Sequence, residues 1–136
     1  MVWDQARRTA VKVFSSAFKT LGYKNSGRTM WRYRKEFVDV VQIYVSKYGN
    51  SFCIELGCHP RKDDNLKNFP KPWHTMFRGR MEKWYDFFEL SEEELSTILP
   101  NDLDNILRQE RDFFSNFTSL EDCMNVLNGK AVKPET

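Results

Sequence analysis

Two runs of alternating residues, separated by one short turn, constrain this chain more than any other feature. Residues 37–47 hold a β-branched stretch, Val38 through Val45, interrupted by Asp39, Gln42 and Tyr44. Lys47-Tyr48-Gly49-Asn50-Ser51 reads as a turn. After it, Phe52, Ile54, Leu56 and Cys58 alternate with Cys53, Glu55 and Gly57. Successive side chains of a strand point to opposite faces, so this period of two predicts two strands, and the short turn makes them antiparallel. Thr29 to Lys35 alternates in the same way, with Trp31, Tyr33 and Lys35 against Met30, Arg32 and Arg34. A fourth strand is expected near residues 75–83, where Phe77, Gly79 and Met81 alternate with Met76, Arg78 and Arg80. Residues 60–73 carry three prolines and a charge cluster, which predicts a loop that Pro60 opens.

The flanks have helical spacing. Ala6, Ala10, Val13, Phe14, Ala17, Phe18 and Leu21 fall on one stripe, with Asp4 as a candidate N-cap and Gly22 at the left-handed C-cap position. Ser91-Glu92-Glu93-Glu94 fits a capping box ahead of Leu95, Ile98 and Leu99, and Pro100 is expected to stop or kink that helix. Leu103, Ile106, Leu107, Phe113, Phe114 and Phe117 form a second stripe. Thr118-Ser119-Leu120-Glu121 is another capping box, opening a short last helix through Leu127. The expected fold is therefore α+β: an antiparallel meander of three to four strands, with an N-terminal helix and C-terminal helices packed on one face. One domain is expected over residues 1–128, with a flexible tail over 129–136.

Composition narrows the setting. No stretch approaches the ~20 apolar residues that span a bilayer, and the N-terminus has no apolar run behind its charges, so neither a membrane span nor a secretory signal is expected. Three cysteines, an odd number, argue for a reducing, cytoplasmic compartment rather than a disulfide scaffold. The net charge of +2 hides an asymmetry: residues 1–85 carry +10 and residues 86–136 carry −8. Such polarity steers charged partners, unless the two halves fold against each other and their fields cancel.

The sheet face away from the helices is the candidate ligand surface. If Val41, Ile43, Val45, Phe52, Ile54 and Leu56 face the helices, then Gln42, Tyr44 and Glu55 face away. Trp31 and Tyr33 read as inward, which puts Arg32 and Arg34 on the same outer face, and Arg78 and Arg80 join them from the fourth strand. Four arginines beside a tyrosine would suit an anion or a single-stranded nucleic acid. The plainer reading is that a solvated sheet face needs polar residues. Glu92, Glu93, Glu94, Asp102 and Asp104 form a candidate surface for a basic partner.

Catalytic patterns are sparse. Asp39 and Glu55 could supply the carboxylates of a metal-dependent nuclease, but Gly57 stands where a Glu-x-Lys motif wants lysine. His59 and His74 have no Ser or Cys at a motif spacing, Cys58-His59 has no second ligand pair, and there is no Gly-rich phosphate loop. No metal and no cofactor is expected. The function expected first is a non-catalytic binding module with a macromolecular partner of the immunity or antitoxin kind, by analogy with small solitary bacterial domains. The alternative is a nucleotide- or RNA-binding domain, and a metal-dependent hydrolase is third.

The chain resembles the bacterial domain-of-unknown-function 4304 family. The resemblance runs from Phe18-Lys19-Thr20-Leu21-Gly22-Tyr23-Lys24 and Trp31 through residues 41–50 and 52–57. It continues through Phe77-Arg78-Gly79-Arg80-Met81 to the helix leading to Leu120, covering roughly residues 10–127. The Gln-x-x-x-Ser-Lys stretch at Gln42, the Leu56-Gly57 strand end and the Arg78-x-Arg80 pair are its most specific parts. Glu55 and His74-Thr75-Met76 depart from the family pattern. The resemblance implies a small cytoplasmic α+β domain and no particular activity.

Overall fold

A computed structural model describes residues 2–47, 51–63, 70–81, 83–86 and 92–121. In chain order it has α1 (Val2–Lys19), β1 (Lys24–Ser26), β2 (Thr29–Tyr33), β3 (Phe37–Val45) and β4 (Ser51–Pro60). A 3-10 turn (Pro72–His74), β5 (Phe77–Arg80), β6 (Tyr85–Asp86) and α2 (Glu92–Phe114) follow. The fold is α+β, with an N-terminal helix, an antiparallel meander and a C-terminal helix. The strands lie in the order β1-β2-β3-β4-β5, and β6 pairs with the same edge of β4 further along. The three strands expected over residues 29–58 and the one near Phe77 are present, and β1 and β6 extend the sheet.

The helix-to-sheet turn is built by Gly22. Its φ of 92° is left-handed, which glycine adopts without a Cβ clash. The Gly22 N–H donates to Lys19 O (3.1 Å) and the Tyr23 N–H donates to Phe18 O (3.3 Å), the paired bonds of a Schellman cap. The apolar contact that accompanies such a cap is Phe18 edge-on to Tyr23, with ring centroids 5.4 Å apart. Asp4 lies inside α1 rather than at its cap, because the helix already begins at Val2.

The main core lies between the helices and one sheet face. Phe14 and Phe18 of α1 and Ile106 and Phe114 of α2 pack with Met30, Phe37, Val41, Ile43, Phe52, Ile54 and Leu56. Phe113 also reaches β5, where a Cβ on Gly79 would come within 2.8 Å of its ring. A smaller cluster, Trp31, Val38 and Val40, sits on the other face. It is roofed by the segment that leads into the 3-10 turn: Trp31 Nε1 donates to Pro70 O at 2.7 Å.

One expectation about the C-terminal region changes. Pro100 does not divide the helix; α2 runs through it for 23 residues. The helix that begins at Leu120 has its first N–H bonded to Glu36 Oε2 (2.7 Å), from the β2–β3 turn. The continuation of that helix beyond residue 121, the Ser91 cap and the tail over 129–136 lie outside the described residues.

Candidate functional site

Register decides which side chains share a face. Lys35 and Glu36 alone separate the bonded pair Arg34–Phe37, so Arg32 lies opposite Asp39 and Thr29 opposite Gln42. Asp39 is opposite Cys58, which is opposite Phe77; Gln42 is opposite Glu55, which is opposite Arg80. Directly paired residues point the same way. Arg32, Arg34, Asp39 and Cys58 therefore face the helices, while Gln42, Tyr44, Glu55, Arg78 and Arg80 face away. The expected grouping of four arginines on one face is corrected. Trp31 and Tyr33, read as inward for their hydrophobicity, point away from the helices, and this reverses Arg32 and Arg34.

Arg32 and Arg34 belong to a buried ion cluster. Asp39 has no exposed surface. Its Oδ2 accepts from Arg32 Nε (2.9 Å) and Nη2 (2.8 Å), and its Oδ1 accepts from Arg34 Nη2 (2.8 Å). Arg32 Nη2 also donates to Glu110 of α2 (2.8 Å), and the buried Tyr23 hydroxyl donates to the same Glu110 oxygen (2.9 Å). Buried carboxylates are tolerable only when paired and hydrogen-bonded in this way. Burial, reinforced by Glu110, raises the Tyr23 phenol far above its ordinary range, so it stays a donor. Burial likewise raises the Cys58 thiol, and Asp39 adds to the effect. Asp39 itself was the signal for this cluster. It shares the inward parity of Val41 and Ile43, and an inward acid in an apolar strand requires a cation across from it.

The face away from the helices has two zones. Toward β2 it is roofed by residues 70–76. Lys71 Nζ lies 5.8 Å from the Trp31 ring centroid and donates to Thr29 Oγ1 (3.0 Å). Gln42 Nε2 donates to the same hydroxyl (3.2 Å), and Gln42 is buried with its Oε1 unpartnered among the described residues. His59 Nδ1 accepts from the Met76 N–H (2.9 Å), which leaves the proton on Nε2 to bond Asp63 Oδ2 (2.6 Å). Close approach of the roof requires Gly57, since a Cβ there would collide with the Thr75 side chain and come within 3.1 Å of Pro72 Cα. Toward β5 and β6 the face is open. The Arg80 guanidinium lies 5.1 Å from the Tyr44 ring centroid and 5.4 Å from that of Trp84, and it bonds Glu55 Oε2 at 3.0 Å. Cys53 beneath is fully buried, which pushes its thiol up to about 11.

A family model described as a domain of unknown function, DUF4304, matches residues 14–115. The chain belongs to the DUF4304 family. No curated protein and no solved structure matches the chain. The matched span of this DUF4304 domain runs from α1 to the end of α2 and contains both the ion cluster and the open aromatic zone.

The remaining sequence candidates separate. Asp39 and Glu55 point to opposite faces of the DUF4304 sheet and cannot share a metal ion. Asp102 is engaged by Lys83 Nζ (2.6 Å) and the Tyr85 hydroxyl (2.7 Å), and Asp104 is exposed. Glu92, Glu93 and Glu94 form the first turn of α2, and their side chains lie outside the described residues. Among the described residues, no helix is long and apolar enough to cross a membrane. Sequence reasoning passed over Tyr33, Trp73, Met76 and Trp84 as site residues. For Trp73, Met76 and Trp84 the signals were the aromatic content of the 72–85 stretch and the parity of Met76 with Arg78 and Arg80, and for Tyr33 its alternation with Arg32 and Arg34.

Proposed function

We propose that this DUF4304 domain is a non-catalytic binding module whose helix-free face takes single-stranded nucleic acid. One observation carries the reading. Tyr33, Trp73, Met76 and Trp84, the exposed large apolar side chains among the described residues, are 41–55% exposed and all belong to that face. Cations lie among them: Arg61 over Tyr33 at 5.6 Å, Arg80 between Tyr44 and Trp84, and Arg78 exposed beside them. Rings that stack on bases, interleaved with cations that meet phosphates, are what sequence-tolerant single-strand binding uses. Among the described residues three acids share this face: Glu55 bonds Arg80, Asp63 bonds His59, and Asp86 lies opposite Ser51. Arg61, Lys71, Arg78 and Arg80 outnumber them, so the surface favours an acidic partner. From the level of Val38 to that of Tyr44 the face extends ~20 Å along the strands, enough for several nucleotides.

A protein partner of the immunity or antitoxin kind is the second reading. Trp, Tyr and Arg also dominate protein-interface energetics, so this same face serves that reading beside the acidic residues of α2, of which Asp102 is engaged and Asp104 exposed. Buried thiols at Cys53 and Cys58 support a reducing, cytoplasmic setting for either. Fluorescence anisotropy with a labelled single-stranded oligouridylate tests the proposal. Saturable binding is expected, and W84A should weaken it about 5- to 100-fold, the range for losing one stacked base. A wild-type protein that leaves the oligonucleotide unbound at low salt would rule the nucleic-acid reading out.

A further inference from the structure

On the helix side of the sheet, a cleft of about 560 Å³ opens between the end of α1, β2 and α2. Its volume falls within the range of small-molecule sites, ~300–1,000 Å³. Arg32 and Arg34 line it from the sheet, and Arg108 and Arg111 line it from one face of α2. The buried acids Asp39 and Glu110 offset the two sheet arginines. Arg108 and Arg111, both exposed, then outweigh Asp104 at the rim, so the cleft keeps a net positive charge.

Donors remain within it. A guanidinium carries five N–H groups, two on each terminal nitrogen. Arg34 Nη1 donates once, to Phe117 O at 2.8 Å, and Arg32 Nη1 makes one long contact of 3.5 Å to Leu21 O. Among the described residues each therefore keeps a second Nη1 hydrogen, on residues two apart along the sheet edge of the cleft. The wall beside them is apolar, formed by Leu21, Leu107 and Phe114. We propose that this cleft binds a small organic anion, its carboxylate or phosphate head on the arginines and its apolar body against Leu107 and Phe114. The site is distinct from the face assigned to nucleic acid, since it lies on the opposite side of the sheet.

NMR titration of the ¹⁵N-labelled full chain with phenyl phosphate, benzoate and inorganic phosphate tests it. Phenyl phosphate or benzoate should give saturable shifts at the amides of Arg32, Arg34, Ser115 and Thr118, and inorganic phosphate should bind at least several-fold more weakly. Whichever of the two aromatic anions binds more tightly identifies the head group. R108A/R111A, at exposed helix positions, should weaken binding tenfold or more, and S115W should abolish it by filling the cleft while amide dispersion is kept. The proposal is overturned if no aromatic anion saturates those amides, if inorganic phosphate binds as well as phenyl phosphate, or if R108A/R111A binds as the wild type does.

Discussion

Asp39 holds together the sheet and both of its neighbouring arginines from a position with no exposed surface. Replacing it with alanine leaves Arg32 and Arg34 without the carboxylate between them. Breaking a buried pair in this way costs ~3–5 kcal/mol, so D39A should unfold at markedly lower urea concentration, or fail to accumulate as folded protein. Tyr23→Phe is a milder change, because Glu110 keeps its bond from Arg32; a loss of about 1 kcal/mol is expected in the same measurement. Asp102 contributes to the acid limb of stability. The hydrogen bond from Lys83, with a second from Tyr85, holds its carboxyl below the ordinary value. A lowered folded value stabilises the protein at pH above the unfolded carboxylate range, and that contribution disappears as pH falls through the folded value. D102N should therefore flatten thermal stability against pH on the acid side, by less than ~1 kcal/mol since the pair is partly exposed. The presence of these residues was legible in the sequence, but their company was not. The hydrophobicity of Trp31 and Tyr33 suggested that Arg32 faces water, whereas the two-residue turn at Lys35 and Glu36 fixes the register that buries it against Asp39.

At the scale of elements, period and turns carried most of the information. The strands around Val41 and Ile54 alternate cleanly because one face of each is buried by helices, and Gly22 marked the end of α1 because a left-handed cap needs it. Pro100 misleads on local grounds: a proline inside a helix costs ~3 kcal/mol, yet α2 continues across it, since the stripe from Leu103 to Phe114 is held by the core. P100A should accordingly raise the melting temperature, with a gain of up to ~3 kcal/mol in stability. The roof over Trp31 was illegible for a different reason. It is an irregular segment with no period, fastened by single bonds such as Met76 N–H to His59 and Trp31 Nε1 to Pro70 O. Gly57→Ala tests that fastening. Overpacking beneath Thr75 and Pro72 should cost ~1–3 kcal/mol and quench or shift Trp31 fluorescence, while helical circular dichroism stays unchanged.

Across the whole molecule, the charge split of the sequence resolves into two fates. Part is spent internally, in Arg32–Glu110 and Lys83–Asp102, ion pairs that tie the basic half to the acidic half. Part stays outside, with Arg61, Arg78 and Arg80 on the aromatic helix-free face. The salt dependence of affinity for a single-stranded oligouridylate, in the wild type and in R78A/R80A, probes that face most directly. Each phosphate contact on a single strand contributes a slope of about −0.7 in log K against log salt. The wild type should bind with a clear negative slope, and R78A/R80A should bind more weakly with the slope reduced by about 0.7–1.4, one contact from Arg78 and up to one from Arg80, which also bonds Glu55. Equal affinity and equal slope in the two proteins would contradict the assignment of nucleic-acid binding to the helix-free face.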